Sequence, residues 1–161
     1  MNPKNHLKNV TKSLLCLAVF VVLLHSFAAL SLAAMPAYSS LQSITANLAS
    51  PSSVAIDGSE NIYIVDATLG KKLNIYNRYG NYLRSLTGLT QPGSVAVDGN
   101  GFIYVGNEST GSVDVYRQNL SLSHKLGSGN GEFGMPGAIA VSDAGIIYVA
   151  DTGNHRIQTF S

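Results

Sequence analysis

Three polar residues that could bind a ligand recur at one position along the chain. Asp66, Asn107 and Asp151 each come four residues after the isoleucine of an Ile-Tyr pair that begins a short aliphatic segment. Their carboxylate and amide oxygens could line a ligand face or hold a cation. The same groups can instead accept hydrogen bonds from backbone N–H groups in the next turn. Because the residues recur in every repeat, we favour this structural interpretation.

His155 and Arg156 are the next candidates for chemistry. A histidine can bind a metal or act as a base, but a catalytic zinc ion usually needs three protein ligands. His124 is the only other histidine after residue 34, and its spacing from His155 matches no ligand motif. We therefore predict a turn histidine and an Arg156 side chain that pairs with a neighbouring carboxylate. The sequence predicts no catalytic residues, no metal site and no cofactor.

Two further patterns are explained better by structural roles than by ligand binding. The glycine-rich residues 127–132 could cradle a phosphate, but neither a lysine nor a strand-to-helix transition follows them, which favours a flexible connection. Tyr63, Tyr104 and Tyr148 could stack on a sugar or a peptide. Packing between repeats explains their regular recurrence better.

These residues belong to three units that repeat from residue 51 onward. The units begin at Pro51, Pro92 and Pro136, which are 41 and 44 residues apart. In each unit an aliphatic–Ala–aliphatic segment is followed, six residues after its second aliphatic residue, by the Ile-Tyr pair. Alternation with period two predicts a strand with bulky residues on one face and alanine on the other. Turn residues separate the predicted strands, and four antiparallel strands in about 40 residues are typical of a propeller blade. A β-sandwich is the alternative architecture.

The third unit resembles an NHL repeat, most clearly over Asp151-Thr152-Gly153-Asn154-His155-Arg156-Ile157-Gln158-Thr159-Phe160 and in the lead-in that begins at Phe133. The resemblance covers about residues 51–161 and is degenerate in the first two units. It implies an all-β fold of NHL-type β-propeller blades, each a four-stranded antiparallel sheet, with about three blades' worth of chain. Propellers of this six-bladed type include a lyase acting on peptidyl-hydroxyglycine, related metal-dependent lactonases, and intracellular proteins that bind RNA or protein.

Residues 1–34 have the pattern of a signal peptide or signal anchor. Lys4, Lys8 and Lys12 precede an apolar run over residues 14–24, and small residues surround a cleavage site after Ala33. Residues 14–35 would also form a hydrophobic helix long enough to cross a bilayer, so removal and retention of the segment both stay open. Either outcome exports the repeats. The single cysteine, Cys16, lies in this segment, so the repeats carry no intrachain disulfide.

The predicted organisation places a linker at residues 35–50, of which residues 41–47 could supply a closing strand. Repeat 1 covers residues 51–91, repeat 2 covers 92–135, and an incomplete repeat 3 covers 136–161. Three blades do not close a six-bladed ring. The sequence is therefore either a truncated product or fragment of a longer NHL protein, which we favour, or one half of a homodimer that completes the ring.

Charge limits the classes of partner. The formal net charge of the chain is +1. Removal of the predicted signal segment takes away Lys4, Lys8 and Lys12 and leaves 7 Lys and Arg residues against 9 Asp and Glu residues. A near-neutral exported domain argues against a nucleic acid partner. We predict a non-catalytic extracytoplasmic binding or scaffold module for a protein, glycan or cell-envelope ligand. It would be secreted, or anchored in the membrane only through an uncleaved residues 14–35. The alternative is a metal-dependent propeller enzyme of lyase or lactonase type.

Overall fold

The structure, a computed structural model, describes residues 42–68, 70–127 and 133–161. The predicted signal segment and apolar helix, Cys16, and most of the glycine-rich connection lie outside these residues. Within the described ranges, no helix has the length and apolar character that a membrane span requires.

The described residues form short strands and one turn of 3-10 helix, which confirms the predicted all-β fold. The 3-10 helix is Thr152–Asn154. The strands are β1 (Pro51–Ile56), β2 (Ile62–Asp66), β3 (Lys72–Tyr76), β4 (Tyr82–Leu86), β5 (Pro92–Val97), β6 (Ile103–Asn107), β7 (Ser112–Tyr116), β8 (Leu122–Leu126), β9 (Pro136–Val141), β10 (Ile147–Asp151) and β11 (Arg156–Phe160).

Each sequence repeat folds into one antiparallel sheet whose strands pair in chain order. The first sheet contains β1 to β4, the second β5 to β8, and the third β9 to β11. The register is the same in all three sheets, since the alanine of the first strand lies opposite the tyrosine of the second. These pairs are Ala55–Tyr63, Ala96–Tyr104 and Ala140–Tyr148. The repeat in the sequence is therefore a repeat of sheet geometry.

The sheets stack face to face, and the apolar core lies between them. The first interface, between the first and second sheets, contains Tyr63, Val65, Leu73, Ile75, Leu89, Val95, Ile103, Val105 and Tyr116. The second interface, between the second and third sheets, contains Ala96, Tyr104, Val113, Val115, Phe133, Ile147 and Val149. Because side chains alternate along a strand, the first strand of the second sheet directs Val95 and Val97 to the first sheet and Ala96 to the third sheet. A small residue at this position lets the following sheet approach closely.

Residues 42–50 lie against the first sheet. The hydroxyl of Tyr76 donates to the carbonyl of Ala46 at 2.5 Å, and Nδ2 of Asn74 donates to the carbonyl of Asn47 at 2.8 Å. The segment thus satisfies polar groups that β3 would otherwise leave without partners. Residues 42–50 form no strand, and the third sheet has three strands among the residues that the structure describes. The closing role considered for residues 41–47 therefore has no counterpart in residues 42–47 of this structure.

Candidate functional site

Asp66 and Asp151 each hold the chain segment that leads into their own repeat. The carboxylate of Asp66 accepts hydrogen bonds from the backbone N–H groups of Ala49 and Ser50 at 2.9 and 3.0 Å. Asp151 accepts from the N–H of Gly134 at 2.7 Å. The donors come 16 or 17 residues before the acid and not from the next turn alone. Both side chains therefore fix the entry of the chain into a sheet.

Asp151 is also the centre of a polar network within the third sheet. Its carboxylate accepts from Nδ2 of Asn154, from Nε of Arg156 at 2.8 Å and from Nε2 of Gln158 at 2.9 Å. Burial opposes ionisation of this carboxyl, but the donors Asn154, Arg156, Gly134 and Gln158 outweigh that effect and hold its pKa well below the usual range. Asp151 is thus a structural anion with its lone pairs in use.

Asn107 and the two histidines do not join this network. Asn107 is buried at the end of β6 and accepts from the hydroxyl of Ser109 at 3.3 Å. His155 is exposed in the left-handed conformation that ends the 3-10 helix. His124 is exposed on β8, with Nδ1 3.3 Å from the hydroxyl of Ser123. In the part of the chain that the structure describes, no three His, Cys, Asp or Glu side chains are placed to hold a metal ion.

Two tyrosine–aspartate pairs went unrecognised in the sequence. The hydroxyl of Tyr63 donates to Asp57 at 3.0 Å, and that of Tyr104 donates to Asp98 at 3.1 Å. Burial and the neighbouring carboxylate raise the pKa of both tyrosines to about 12. The signal was present, because each aspartate precedes its tyrosine by six residues. Ser142 replaces the aspartate in the third repeat.

The same two aspartates shape the turns that join the first two strands of each sheet. Oδ1 of Asp57 accepts from the N–H groups of Ser59 and Asn61 at 2.9 and 2.8 Å. Oδ1 of Asp98 does the same for Asn100 and Phe102. These local bonds close the turns in the manner expected for Asp. Burial opposes ionisation of Asp57, but the bonds from Asn61, Tyr63 and Ser59 lower its pKa overall.

An open polar groove of about 370 Å³ lies between these two turns. Its lining residues are Asp57, Gly58, Ser59, Asp98, Gly99, Asn100, Gly101 and Gln118. The two carboxylates are held within their turns, so the side chains that offer hydrogen bonds to a ligand are those of Ser59, Asn100 and Gln118. A Cβ at Gly58 or Gly99 would meet nothing within 4 Å, so the groove is open at both glycines. This arrangement suits a polar, hydroxyl-bearing ligand.

The Tyr104–Asp98 pair makes stability dependent on pH in the alkaline range. An unfolded tyrosine ionises near pH 10, whereas folded Tyr104 does so at about 12. A raised folded pKa gives stability that is complete below about pH 10 and is lost as the pH rises toward 12. We expect Tyr104→Phe to lose about 0.5–1.5 kcal/mol at pH 7 and to show a shallower alkaline loss. Urea unfolding followed by circular dichroism from pH 7 to 12 measures both.

Tyr148→Phe is the matched control, since Tyr148 occupies the equivalent position opposite Ala140. Ser142 stands where the other repeats have an aspartate, so this variant should change the free energy of unfolding at pH 7 by less than about 0.5 kcal/mol. An alkaline stability profile of Tyr104→Phe that runs parallel to the wild-type profile would contradict the assignment.

Comparison with known proteins supports the fold assignment. Residues 133–160 match the family model described as the NHL repeat, as the resemblance of the third unit predicts. No curated protein sequence matches the chain.

Solved structures similar to the chain include three of known source. Hydrazine synthase of Kuenenia stuttgartiensis superposes with a TM-score of 0.59 at 21% identity, covering 78% of this chain and 36% of that one. A protein of unknown function from Bacteroides caccae gives a TM-score of 0.55 at 17% identity, with 69% and 42% covered. Virginiamycin B lyase from Staphylococcus aureus gives 0.55 at 9% identity, with 68% and 40% covered. The chain therefore spans about two fifths of the length of these structures, and the likeness is one of fold.

Proposed function

We propose that the stacked sheets form a non-catalytic binding or scaffold module for a protein, glycan or cell-envelope ligand. A repeat fold of this kind serves many unrelated functions, so the proposal depends on the site and not on the fold. The main support for the proposal is that the aspartate side chains are occupied by hydrogen bonds within the fold. Asp57, Asp66, Asp98 and Asp151 accept hydrogen bonds from their own turns and lead-in segments. Their carboxylates hold the chain in place and are poorly suited to general acid–base chemistry.

The groove between the turns is the surface we assign to the ligand. Its free donors and acceptors come from uncharged side chains, and the exposed backbone at Gly58 and Gly99 allows a ligand to approach closely. Hydroxyl groups of a glycan can both donate to and accept from the amides of Asn100 and Gln118. A glycan or a glycan-bearing component of the cell envelope is therefore the ligand class that the groove fits best.

The proposal also places the sheets outside the cytoplasm. It is supported by the lysine-rich start and apolar run of residues 1–34, which have the pattern of an export signal. A phosphatase reporter fused after Ser161, active only outside the cytoplasm, should be active in cells. An inactive reporter that is still produced would contradict this location.

Binding to a panel of soluble cell-wall oligosaccharides tests the ligand assignment. We expect the Asn100→Ala/Gln118→Ala double variant to bind the recognised oligosaccharide about 10-fold more weakly by isothermal titration calorimetry, because two polar contacts are lost. Gln91→Ala is the matched control. Gln91 is exposed just before β5, at the end of the strand opposite the groove, so its truncation should leave the affinity unchanged.

Metal analysis and activity screens test the alternative, a metal-dependent propeller enzyme of lyase or lactonase type. The full chain should show neither stoichiometric bound metal by elemental analysis nor turnover in lyase and lactonase screens. Turnover with stoichiometric metal would overturn the non-catalytic proposal. Unchanged oligosaccharide affinity in the double variant would leave the module class in place but contradict the groove as its site.

A further inference from the structure

Within the residues that the structure describes, the two outer sheets each have one apolar face without a neighbouring sheet. The second sheet has a neighbour on both sides, and its aliphatic residues are buried in the first and second interfaces. In the described ranges, the first sheet packs against the second sheet through one of its faces, and the third sheet does the same through one of its own. Among the residues the structure describes, residues 42–50 alone cover part of the remaining face of the first sheet.

The open face of the first sheet carries the residues that the other sheets bury. Val54 and Ile56 are 63% and 62% exposed. The equivalent Val95 and Val97 lie in or against the first interface, and Ile139 and Val141 pack against the second. This face therefore carries the large aliphatic side chains of a sheet–sheet interface, but no second sheet among the described residues packs against them.

The open face of the third sheet carries the complementary half. Tyr148 and Ile157 are 41% and 64% exposed, and Ala140 is exposed as well. Their equivalents Tyr104, Val113 and Ala96 are all buried in the second interface. Exposed clusters of large apolar side chains in a folded protein mark a contact site.

The two open faces fit each other by the same contacts that the chain already makes twice. Val97 packs against the interface that contains Tyr63, and Val141 packs against the one that contains Tyr104. A third contact of this kind would place Ile56 of another sheet against Tyr148. Both halves are present on one chain but at opposite ends of the stack, so one copy can offer each half to another copy.

We infer that two copies of this chain associate head to tail, with the open face of each first sheet covering the open face of the other's third sheet. Each of the two contacts joins unlike faces, and a twofold axis relates the contacts to each other, so two copies close a ring when both faces of both copies are used. The three sheets that the structure describes in each copy would give such a ring six blades, the number that the NHL resemblance implies. Leu48, Leu89 and Phe133 each lie three residues before the proline that begins a repeat. Leu89 and Phe133 are buried in the two internal interfaces, whereas Leu48 is half-buried and would complete the equivalent contact between copies. The association is independent of the ligand proposed for the groove.

The mass of the full-length chain in a mild non-ionic detergent tests this inference. Analytical ultracentrifugation should give two copies per particle for the wild type. Ile56→Asp and Ile157→Asp should each weaken association by at least about 10-fold, because a charge would be buried without a partner. Both side chains are exposed in the single chain, so circular dichroism should show that both variants remain folded.

Leu122→Asp is the control for the added charge. Leu122 is exposed like Ile56, but it lies on an edge strand of the second sheet, which packs against a neighbouring sheet on each side. This variant should keep the mass of the dimer. A wild-type monomer at micromolar concentration, an open filament, or a dimer that survives both Ile56→Asp and Ile157→Asp would overturn the inference.

Cross-linking tests the head-to-tail direction, in a Cys16→Ser background that removes the natural cysteine. A mixture of Ile56→Cys and Tyr148→Cys chains should form a disulfide-linked pair on mild oxidation. Either chain alone should form several-fold less covalent dimer, because identical faces do not meet. Equal cross-linking of Ile56→Cys with itself would overturn the head-to-tail arrangement.

Discussion

Replacing Leu73 by Ala should lower the free energy of unfolding by about 2–5 kcal/mol, the largest effect we expect from a single substitution in this chain. Leu73 is fully buried on β3, in the first interface together with Tyr63 and Val95. Truncation would remove three carbon atoms from a contact between two sheets and leave a cavity that strands on both sides hold open. Urea unfolding followed by circular dichroism measures the loss.

Ile157→Ala provides the comparison, because Ile157 occupies the position of Leu73 in the third repeat. Its side chain lies on the open face of the third sheet, so its truncation in an isolated chain should cost less than about 0.5 kcal/mol. Both substitutions are best made in the Ile56→Asp background, which keeps copies apart. Equal losses in the two variants would show that the third sheet is not open in this way.

Much of the fold could be predicted because each repeat encodes its strands locally. The period-two alternation around Ala55, Ala96 and Ala140 predicts the first strand with a bulky and a small face, and the sheets follow that pattern. The exposure of individual residues could not be predicted in this way. Val54 and Val95 have the same residue type and the same repeat position, yet Val54 is exposed and Val95 is buried. Burial depends on which sheet lies next to the residue, and local sequence does not carry that information.

The candidate site was harder to predict because its contacts join residues far apart in sequence. Turn-capping was expected of Asp66 and Asp151 from their type, but the donors Ala49, Ser50 and Gly134 come from the preceding lead-in. These hydrogen bonds form because the segment before each repeat crosses the end of the second strand, where the aspartate lies. The Tyr–Asp pairs are more local and could have been found, since a six-residue spacing across a two-strand turn brings both side chains to one end of the sheet.

Replacing Ala96 by Leu should destabilise the chain by about 1–3 kcal/mol through overpacking. Ala96 is buried in the second interface and lies opposite Tyr104 in the sheet. Three added carbon atoms would force the third sheet away from the second, and the contacts of Val113 and Val149 would loosen with it. A lower urea midpoint with an unchanged slope would be the expected form of the loss.

Ala140→Leu distinguishes overpacking of the interface from an intrinsic incompatibility of leucine with this strand position. Ala140 also lies between two aliphatic residues and opposite a tyrosine, Tyr148, but its side chain faces outward from the third sheet. In the Ile56→Asp background, leucine at this position should change the free energy of unfolding by less than about 0.5 kcal/mol. In an otherwise wild-type chain the same substitution should weaken association between copies, because the open face would then be overpacked in the dimer. An undisturbed unfolding transition in Ala96→Leu would contradict the register, since only a strand shifted by one residue would point position 96 away from the interface.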